Sequence, residues 1–213
     1  MHDAEPTPER HDDETLAFYD REAVAYAARR EAEGSSELEG FIAALRPGAS
    51  VLDLGCGGGH DAQVMAAAGL RVTAVDGSPS LAAEASRRLG RTVRVMKFED
   101  LTDERRYDAI WANASLLHVP IDGLHDVLGR VWRALRPDGL LFASFKAGDG
   151  PGRDALGRYY NFPSAELLTF LFRQAAIWSE LTVEQDTGGG YDGVERTWLL
   201  VRARRGEFVR PTA

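Results

Sequence analysis

The chain has 213 residues, with 25 Lys plus Arg against 33 Asp plus Glu, for a formal net charge of −8 at pH 7. That length, with 44% hydrophobic and 27% charged residues, suits one globular unit with a full core and excludes wholesale disorder. The acidic balance argues against a nucleic-acid partner, because polyanion binding rests on clustered Lys and Arg. The sole cysteine, Cys56, excludes an internal disulfide, a thiolate zinc site and an iron–sulfur cluster, and with no obvious acid cluster to hold a divalent cation no metal site is expected.

Residues 1–13 hold Asp3, Glu5, Glu9, Asp12 and Asp13, two prolines and no apolar periodicity, so a disordered acidic tail is expected there. The opening is acidic rather than basic-then-apolar, and no apolar run reaches the roughly 20 residues of a membrane span. The expectation is a cytoplasmic protein with no membrane contact. A single domain follows over residues 14–205. A helical pattern covers 15–33, marked by Leu16, Phe18, Tyr19, Val24 and Tyr26, and Gly34-Ser35-Ser36 interrupts it. Ser36 can cap a second helix carrying Leu38, Phe41, Ile42 and Leu45, which Pro47-Gly48 stops.

From residue 50 the chain alternates short apolar strands with amphipathic helices. Strands are expected at 50–54, 71–75, 93–98, 107–113 and 140–146, with helices at 61–68, 79–89 and 121–135 between them. Ser78-Pro79 is a helix start, a hydroxyl N-cap followed by Pro at the first helical position. Strand–helix alternation predicts an α/β fold with a parallel sheet covered on both faces. Residues 146–158 read as a loop and 164–176 as a largely buried helix. Two strands at 181–185 and 194–201 flank the glycines at 188–190, which predicts an antiparallel hairpin.

Val51-Leu52-Asp53-Leu54-Gly55-Cys56-Gly57-Gly58-Gly59-His60-Asp61 carries the chemistry. An apolar strand runs into glycines at alternate positions and then a helix, so the backbone can approach a ligand and offer unpaired N–H groups to it. The next strand ends in an acid, Asp76, where a carboxylate can accept hydrogen bonds from ribose hydroxyls. A dinucleotide fingerprint would need a third glycine where His60 or Ala62 stands.

Asp-x-Gly-x-Gly-x-Gly at 53–59 resembles motif I of the class I S-adenosylmethionine (SAM)-dependent methyltransferases. Ala74-Val75-Asp76-Gly77-Ser78-Pro79 resembles their second motif, and Phe98-Glu99-Asp100-Leu101 stands where the family cups adenine. Tyr107–Asn113, Leu116-Leu117-His118-Val119 and Leu135-Arg136-Pro137-Asp138-Gly139 match the fourth strand, its sequel and the turn entering the fifth, with Asp138 in place of a glycine. Within the family the chain most resembles small bacterial members, some of tellurite-resistance type. The resemblance implies a Rossmann-like seven-stranded sheet in the order 3-2-1-4-5-7-6, with strand 7 antiparallel and helices on both faces. It divides the domain into an N-terminal helical lid (14–46), a cofactor-binding core (50–146) and a C-terminal helix and hairpin (147–205).

The resemblance also implies SAM as cofactor, S-adenosylhomocysteine (SAH) as its product, and a role for each motif residue. Gly55, Gly57 and Gly59, with Cys56 as a small loop residue, would line the methionine part, and Asp76-Gly77 the ribose. Phe98 and Glu99 would flank the adenine. Asn113 and Ala114 would present backbone atoms near the methionine amino group, and Asp53 would act through water or the loop backbone. Tyr19 and Arg29 on the lid helix are candidate cofactor contacts, Arg29 for the donor carboxylate.

Methyl transfer from a sulfonium is an in-line displacement, in which a general base matters only if the acceptor must lose a proton. His118, following the fourth strand, is the candidate base or acceptor contact, with packing under the sheet edge as the alternative. Lys146, Arg158, Tyr159 and Tyr160 are candidates for a substrate mouth able to bind an anion. The expected acceptor is a small molecule or soft oxyanion. A non-catalytic SAM-binding module, an RNA or protein methyltransferase and a nicotinamide-dependent oxidoreductase are the other readings.

Overall fold

A computed structural model describes residues 10–29, 35–191 and 193–207, with Arg29 described by its backbone alone. Nine strands and six α-helices are assigned among them. The core strands are β1 (Ser50–Leu54), β2 (Arg71–Asp76), β3 (Arg94–Val95), β4 (Tyr107–Ala112) and β5 (Leu135–Lys146). A two-residue pair, β6 (Gly152–Arg153) and β7 (Tyr159–Tyr160), precedes the hairpin β8 (Trp178–Gly189) and β9 (Glu195–Arg205). The helices are α1 (Asp13–Arg29), α2 (Ser36–Ala43), α3 (His60–Ala67), α4 (Pro79–Leu89), α5 (Ile121–Ala134) and α6 (Ala165–Ala175).

The seven-stranded sheet runs β3-β2-β1-β4-β5-β9-β8. With the small β6–β7 pair set aside, this is the expected 3-2-1-4-5-7-6. The β1–β2, β1–β4, β2–β3 and β4–β5 pairs are parallel, and β9 runs antiparallel to both β5 and β8. Central strands bury both faces, as parallel strands between helices must. Along β4, Ala109 and Trp111 pack into one core layer, and Ile110 and Ala112 into the other. No helix among the described residues is long and apolar enough to cross a membrane.

Several boundaries differ from the expectation. Ser35, not Ser36, caps α2 by accepting the Leu38 amide. The third strand shortens to two residues because Met96 and Lys97 leave the sheet before a 3-10 turn at Phe98–Asp100. Within β5, the register jumps between the Tyr107↔Leu135 and Ala109↔Leu140 pairs. The intervening turn sets Asp138 at φ +61, left-handed backbone that Asp tolerates better than most residues. The expected loop at 146–158 contains β6, and the hairpin extends further than expected, with Gly188 and Gly189 paired to Arg196 and Glu195.

The expected tail boundary also moves. Residues 1–9 lie outside the described residues, but Arg10–Asp12 pack against the domain. Arg10 Nε lies 2.7 Å from Asp126 Oδ2. Asp12 accepts from the Thr15 amide at 2.8 Å, capping α1, and from Arg153 Nη2 at 2.7 Å. Acids and a threonine that read as solvent-loving in the sequence are drawn in by partners far along the chain.

Candidate functional site

The glycine loop leaves the end of β1 with Gly55, Gly57 and Gly59 at φ +81, +53 and +80. A Cβ on Gly55 would come within 2.5 Å of Ser115 Cβ, so the position is closed to side chains on two counts. Asp76, at the end of β2, fixes the loop. Its Oδ2 accepts from Gly57 N at 2.8 Å and its Oδ1 from Ser78 N at 2.9 Å. Burial raises the Asp76 pKa to about 6 against these donated N–H groups. Each carboxylate oxygen still has a lone pair for a further donor.

Two cavities meet at this loop. A narrow slot of about 80 Å³ is lined by Asp76, Gly77, Leu81, Met96 and Phe98, with Tyr19 and His118 at its inner end. A wider cavity of about 460 Å³ continues past Gly55 and Gly57 to Asp53, Asn113 and the β8–β9 tip. Its floor is a hydrogen-bonded network. Asp61 Oδ2 accepts from Trp111 Nε1 at 2.8 Å and Asn113 Nδ2 at 3.3 Å. Ser144 Oγ donates to Asn113 Oδ1 at 2.7 Å and accepts from Ala114 N at 2.7 Å. Ala114 takes φ +51, and the Ser144 bond holds that turn.

The lid helix α1 closes the slot. Its Asp20 Oδ1 accepts from Ser78 Oγ at 3.0 Å and Ser80 N at 2.8 Å, docking α1 on the start of α4. Arg158 Nη1 donates to Tyr19 Oη at 3.0 Å, and Arg158 Nε and Nη2 hold Asp154 Oδ2 at 2.9 and 2.6 Å. His118 Nδ1 lies 2.6 Å from the Tyr159 carbonyl, which can only accept, so Nδ1 carries the proton. Nε2 then accepts the Tyr19 hydroxyl at 2.9 Å. Burial, opposed by that carbonyl and reinforced by Arg158 and Lys146, lowers the His118 pKa to about 3. His118 is therefore a neutral side chain held at both nitrogens.

Most expected site residues gather here, but not all in the expected place. Gly55, Cys56, Gly57, Asp53, Asn113 and Ala114 line the wide cavity, while Tyr19, Asp76, Gly77, Phe98 and His118 line the slot. Gly59 lines neither. It begins α3, and a Cβ there would press on Ala85 of α4 at 3.0 Å, so it serves helix packing. Glu99 also stands outside the lining, 2.5 Å from His11 Nδ1. Burial, with Asp53 and Asp76 nearby, pushes the Cys56 thiol pKa well up, which suits a small loop residue. The Arg29 side chain lies outside the described residues.

The expected anion mouth does not form. Lys146, Arg158, Tyr159 and Tyr160 line neither cavity. Arg158 is buried against Asp154, and Lys146 Nζ sits 4.3 Å from the Tyr160 ring and 5.7 Å from the Trp198 ring. Glu37, Asp61, Ser144, Asp186 and Trp198 join the lining of the wide cavity unexpectedly, beside Tyr191 of the glycine-rich hairpin tip. Of these, only Asp61 stood beside a recognised motif.

A family profile described as a methyltransferase domain matches residues 51–139. The ubiquinone biosynthesis O-methyltransferase of Xanthomonas campestris pv. campestris is 41% identical over 105 residues, covering 46% of this chain and 43% of that protein. A Streptomyces cypemycin N-terminal methyltransferase is 34% identical over 137 residues, covering 57% and 56%. The chain thus spans about half the length of these curated relatives. A crystal structure of Burkholderia thailandensis 1,6-didemethyltoxoflavin-N1-methyltransferase, with 1,6-didemethyltoxoflavin and SAH bound, is similar over 97% of this chain and 98% of that one. Its TM-score is 0.66 at 28% identity. Residues 51–139 thus match a methyltransferase domain, and the sheet order, the glycine loop and the acid closing β2 are those of the class I SAM-dependent methyltransferase fold, whose cofactor is S-adenosylmethionine.

Proposed function

We propose that this chain moves the methyl group of SAM to a small-molecule acceptor. The observation that carries the reading is Asp76, which pins the glycine cradle through Gly57 N while lining the slot beside Phe98. These residues fit the donor. Asp76 would accept two ribose hydroxyls, Phe98 would lie against the adenine, and the loop backbone at Gly55 and Gly57 would pass close beneath the methionine arm. When bound, the donor supplies an electrophilic methyl on a sulfonium, so the protein's task is alignment and exclusion of water.

The methionine ammonium would meet the acid-lined floor near Asp53 and the Asn113–Ala114 turn. The acceptor would enter through the wide cavity, whose volume falls within the roughly 300–1,000 Å³ usual for small-ligand sites. His118, neutral and doubly hydrogen-bonded, would position α1 rather than take a proton. The Xanthomonas and Burkholderia relatives, whose names specify small-molecule substrates, support an acceptor of that kind.

Calorimetry with SAM, SAH and NAD tests the cofactor, and SAH formation with a metabolite panel tests turnover. Micromolar SAM or SAH binding with no NAD binding is expected. NAD binding tighter than SAM would overturn the reading, and SAM binding without any turnover would favour a non-catalytic module.

A further inference from the structure

The wide cavity is two-walled. The cofactor loop and the floor network form one side. The other is built by elements outside the cofactor core: the start of α2, the end of α1 and the hairpin. Tyr26 and Tyr191 pack at 4.9 Å between ring centroids, tilted by 37°. Trp198 is fixed by donating Nε1 to the Gly188 carbonyl at 3.2 Å, and its strand register sets it opposite Asp186. Glu37 stands at the start of α2 with its side chain one-quarter exposed.

Among the described residues, the cavity lining holds four carboxylates and no lysine or arginine. Asp53 and Asp61 belong to the cofactor side and are accounted for by the loop and floor. Glu37 and Asp186 instead have local hydrogen-bond partners: Glu37 Oε2 accepts from Ser36 Oγ at 2.6 Å and Asp186 Oδ1 from Thr187 N at 2.8 Å. Among the described residues, the cations that touch the lining are engaged: Arg158 lies 5.3 Å from the Tyr191 ring while holding Asp154, and Arg88 donates to the Gly58 carbonyl at 2.8 Å. Arg202 pairs with Glu184 at 2.7 Å and only distantly, at 3.9 Å, with Glu37. Lys146 lies behind the Trp198 ring.

From this we infer that the acceptor is an organic amine with a planar or aromatic body, methylated on nitrogen. The inference rests on the proposed methyltransferase reading and deepens it. Aromatic faces attract cations, more so when desolvated, and carboxylates on the far wall add ordinary attraction. An anionic acceptor would face repulsion from every charged group in the lining. The bound ammonium first gives a proton to water at the open end; the lone pair of the resulting neutral amine then forms the N–CH3 bond as the C–S bond breaks. Sulfur keeps the bonding pair to give the SAH thioether, and the protonated methylamine product sheds its proton to water at the open end. The 1,6-didemethyltoxoflavin enzyme is named for a nitrogen position, N1, whereas the Xanthomonas relative is named an O-methyltransferase, so the lining rather than the relatives carries the choice of nitrogen.

The test titrates the full chain, with and without SAH, against 2-phenylethylamine, 2-phenylethanol and 3-phenylpropionate, which share a ring and differ in charge. The amine should bind at least about tenfold tighter than the carboxylate, a factor worth about 1.4 kcal/mol. A Glu37→Gln/Asp186→Asn double variant should weaken that preference severalfold and leave SAH affinity unchanged. Equal or reversed preference in the wild type, no detectable amine binding, or an undiminished preference in the folded double variant would each overturn the inference. Failure of SAH to bind wild-type protein would instead overturn the cofactor reading, and the titrations without SAH keep the two failures apart. A panel of amines and matched phenols, scored for SAH release, gives the second readout: turnover confined to phenols overturns the nitrogen assignment.

Discussion

Tyr19 on the lid helix donates its hydroxyl to His118 Nε2 at 2.9 Å, joining residues 99 positions apart. The same hydroxyl accepts from Arg158, so one oxygen ties α1, the turn after β4 and the segment leading into β7. Burial pushes the Tyr19 phenol pKa well above its ordinary value, which keeps the donor protonated. Tyr19→Phe removes the acceptor of Arg158 and the donor to His118 together. Leaving enclosed polar groups unpaired costs about 1–3 kcal/mol. A urea titration should read that loss with the m-value unchanged. SAH affinity should also fall, because α1 lines the slot.

His118 gives a signed pH dependence. Its folded pKa of about 3 lies below the ordinary imidazole value of 6.5. Between those values the unfolded chain binds the extra proton, so stability falls as pH drops through that window and is fully present above it. Asp76, raised to about 6 from 3.8, acts in the opposite sense over pH 4–6, holding its proton longer in the folded state. Acid titration of wild type and His118→Gln, followed by thermal melting, separates them. The variant should lose less stability than wild type between neutral pH and pH 4, and an identical profile would remove His118 from the account.

Asp76 also predicts linkage in cofactor binding. Ribose hydroxyls donating to the carboxylate favour its charged form, so SAH affinity should rise as pH climbs through about 6. Calorimetry near pH 6 in buffers of different ionisation enthalpy should detect proton release on binding. Asp76→Ala should weaken SAH binding by roughly 2–3 kcal/mol. It should also lower stability, because Gly57 N and Ser78 N lose their acceptor. The sequence suggested a strand-end carboxylate placed for ribose hydroxyls. The structure makes it the anchor of the glycine loop.

That contrast marks what the sequence carries. Strand β1 and helix α4 begin and end where periodicity and the Ser78-Pro79 cap put them, because local preference and burial agree there. The Gly55–Gly59 turn was legible because left-handed backbone needs a particular residue. Gly188 and Gly189 read as loop because glycine packs nothing in a strand, yet backbone pairing with β9 carries them. Arg158 read as part of an anion-binding mouth because its partner Asp154 and its lid contact Tyr19 are brought in only by tertiary folding. The far wall of the wide cavity comes from residues 26, 37, 186, 191 and 198, and no local pattern links such distant positions.

Gly55→Ala tests the cradle directly. A Cβ there meets Ser115 Cβ at 2.5 Å with the backbone at φ +81. Left-handed strain costs about 1–2 kcal/mol before the clash is relieved. Gly69→Ala is the control, with φ +84 and no atom within 4 Å of the added Cβ. Both variants should lose stability in thermal melts, Gly55→Ala the more, and only Gly55→Ala should lose SAH binding.

The last prediction concerns the strap formed by Arg10–Asp12. It reaches the edge of the slot, where His11 contacts Glu99 at 2.5 Å and Lys97 Nζ at 2.7 Å, while Arg10 holds Asp126 on α5. The slot measures about 80 Å³, below the roughly 300 Å³ at which small-ligand sites begin. Displacing the strap and α1 would widen the slot for an adenosyl group. The strap contacts are part-exposed, and such ion pairs contribute about 0–1 kcal/mol each, so opening is cheap. Asp12 also caps α1, and its replacement would confuse opening with unravelling. The discriminating variant is therefore Arg10→Ala/His11→Ala, with Asp12 intact. Stopped-flow binding should give a faster SAH on-rate and a larger increase in off-rate, so that affinity falls modestly while melting temperature changes little. Unchanged rates would mean that SAH enters from the side of the wide cavity and that the strap is only a packed edge.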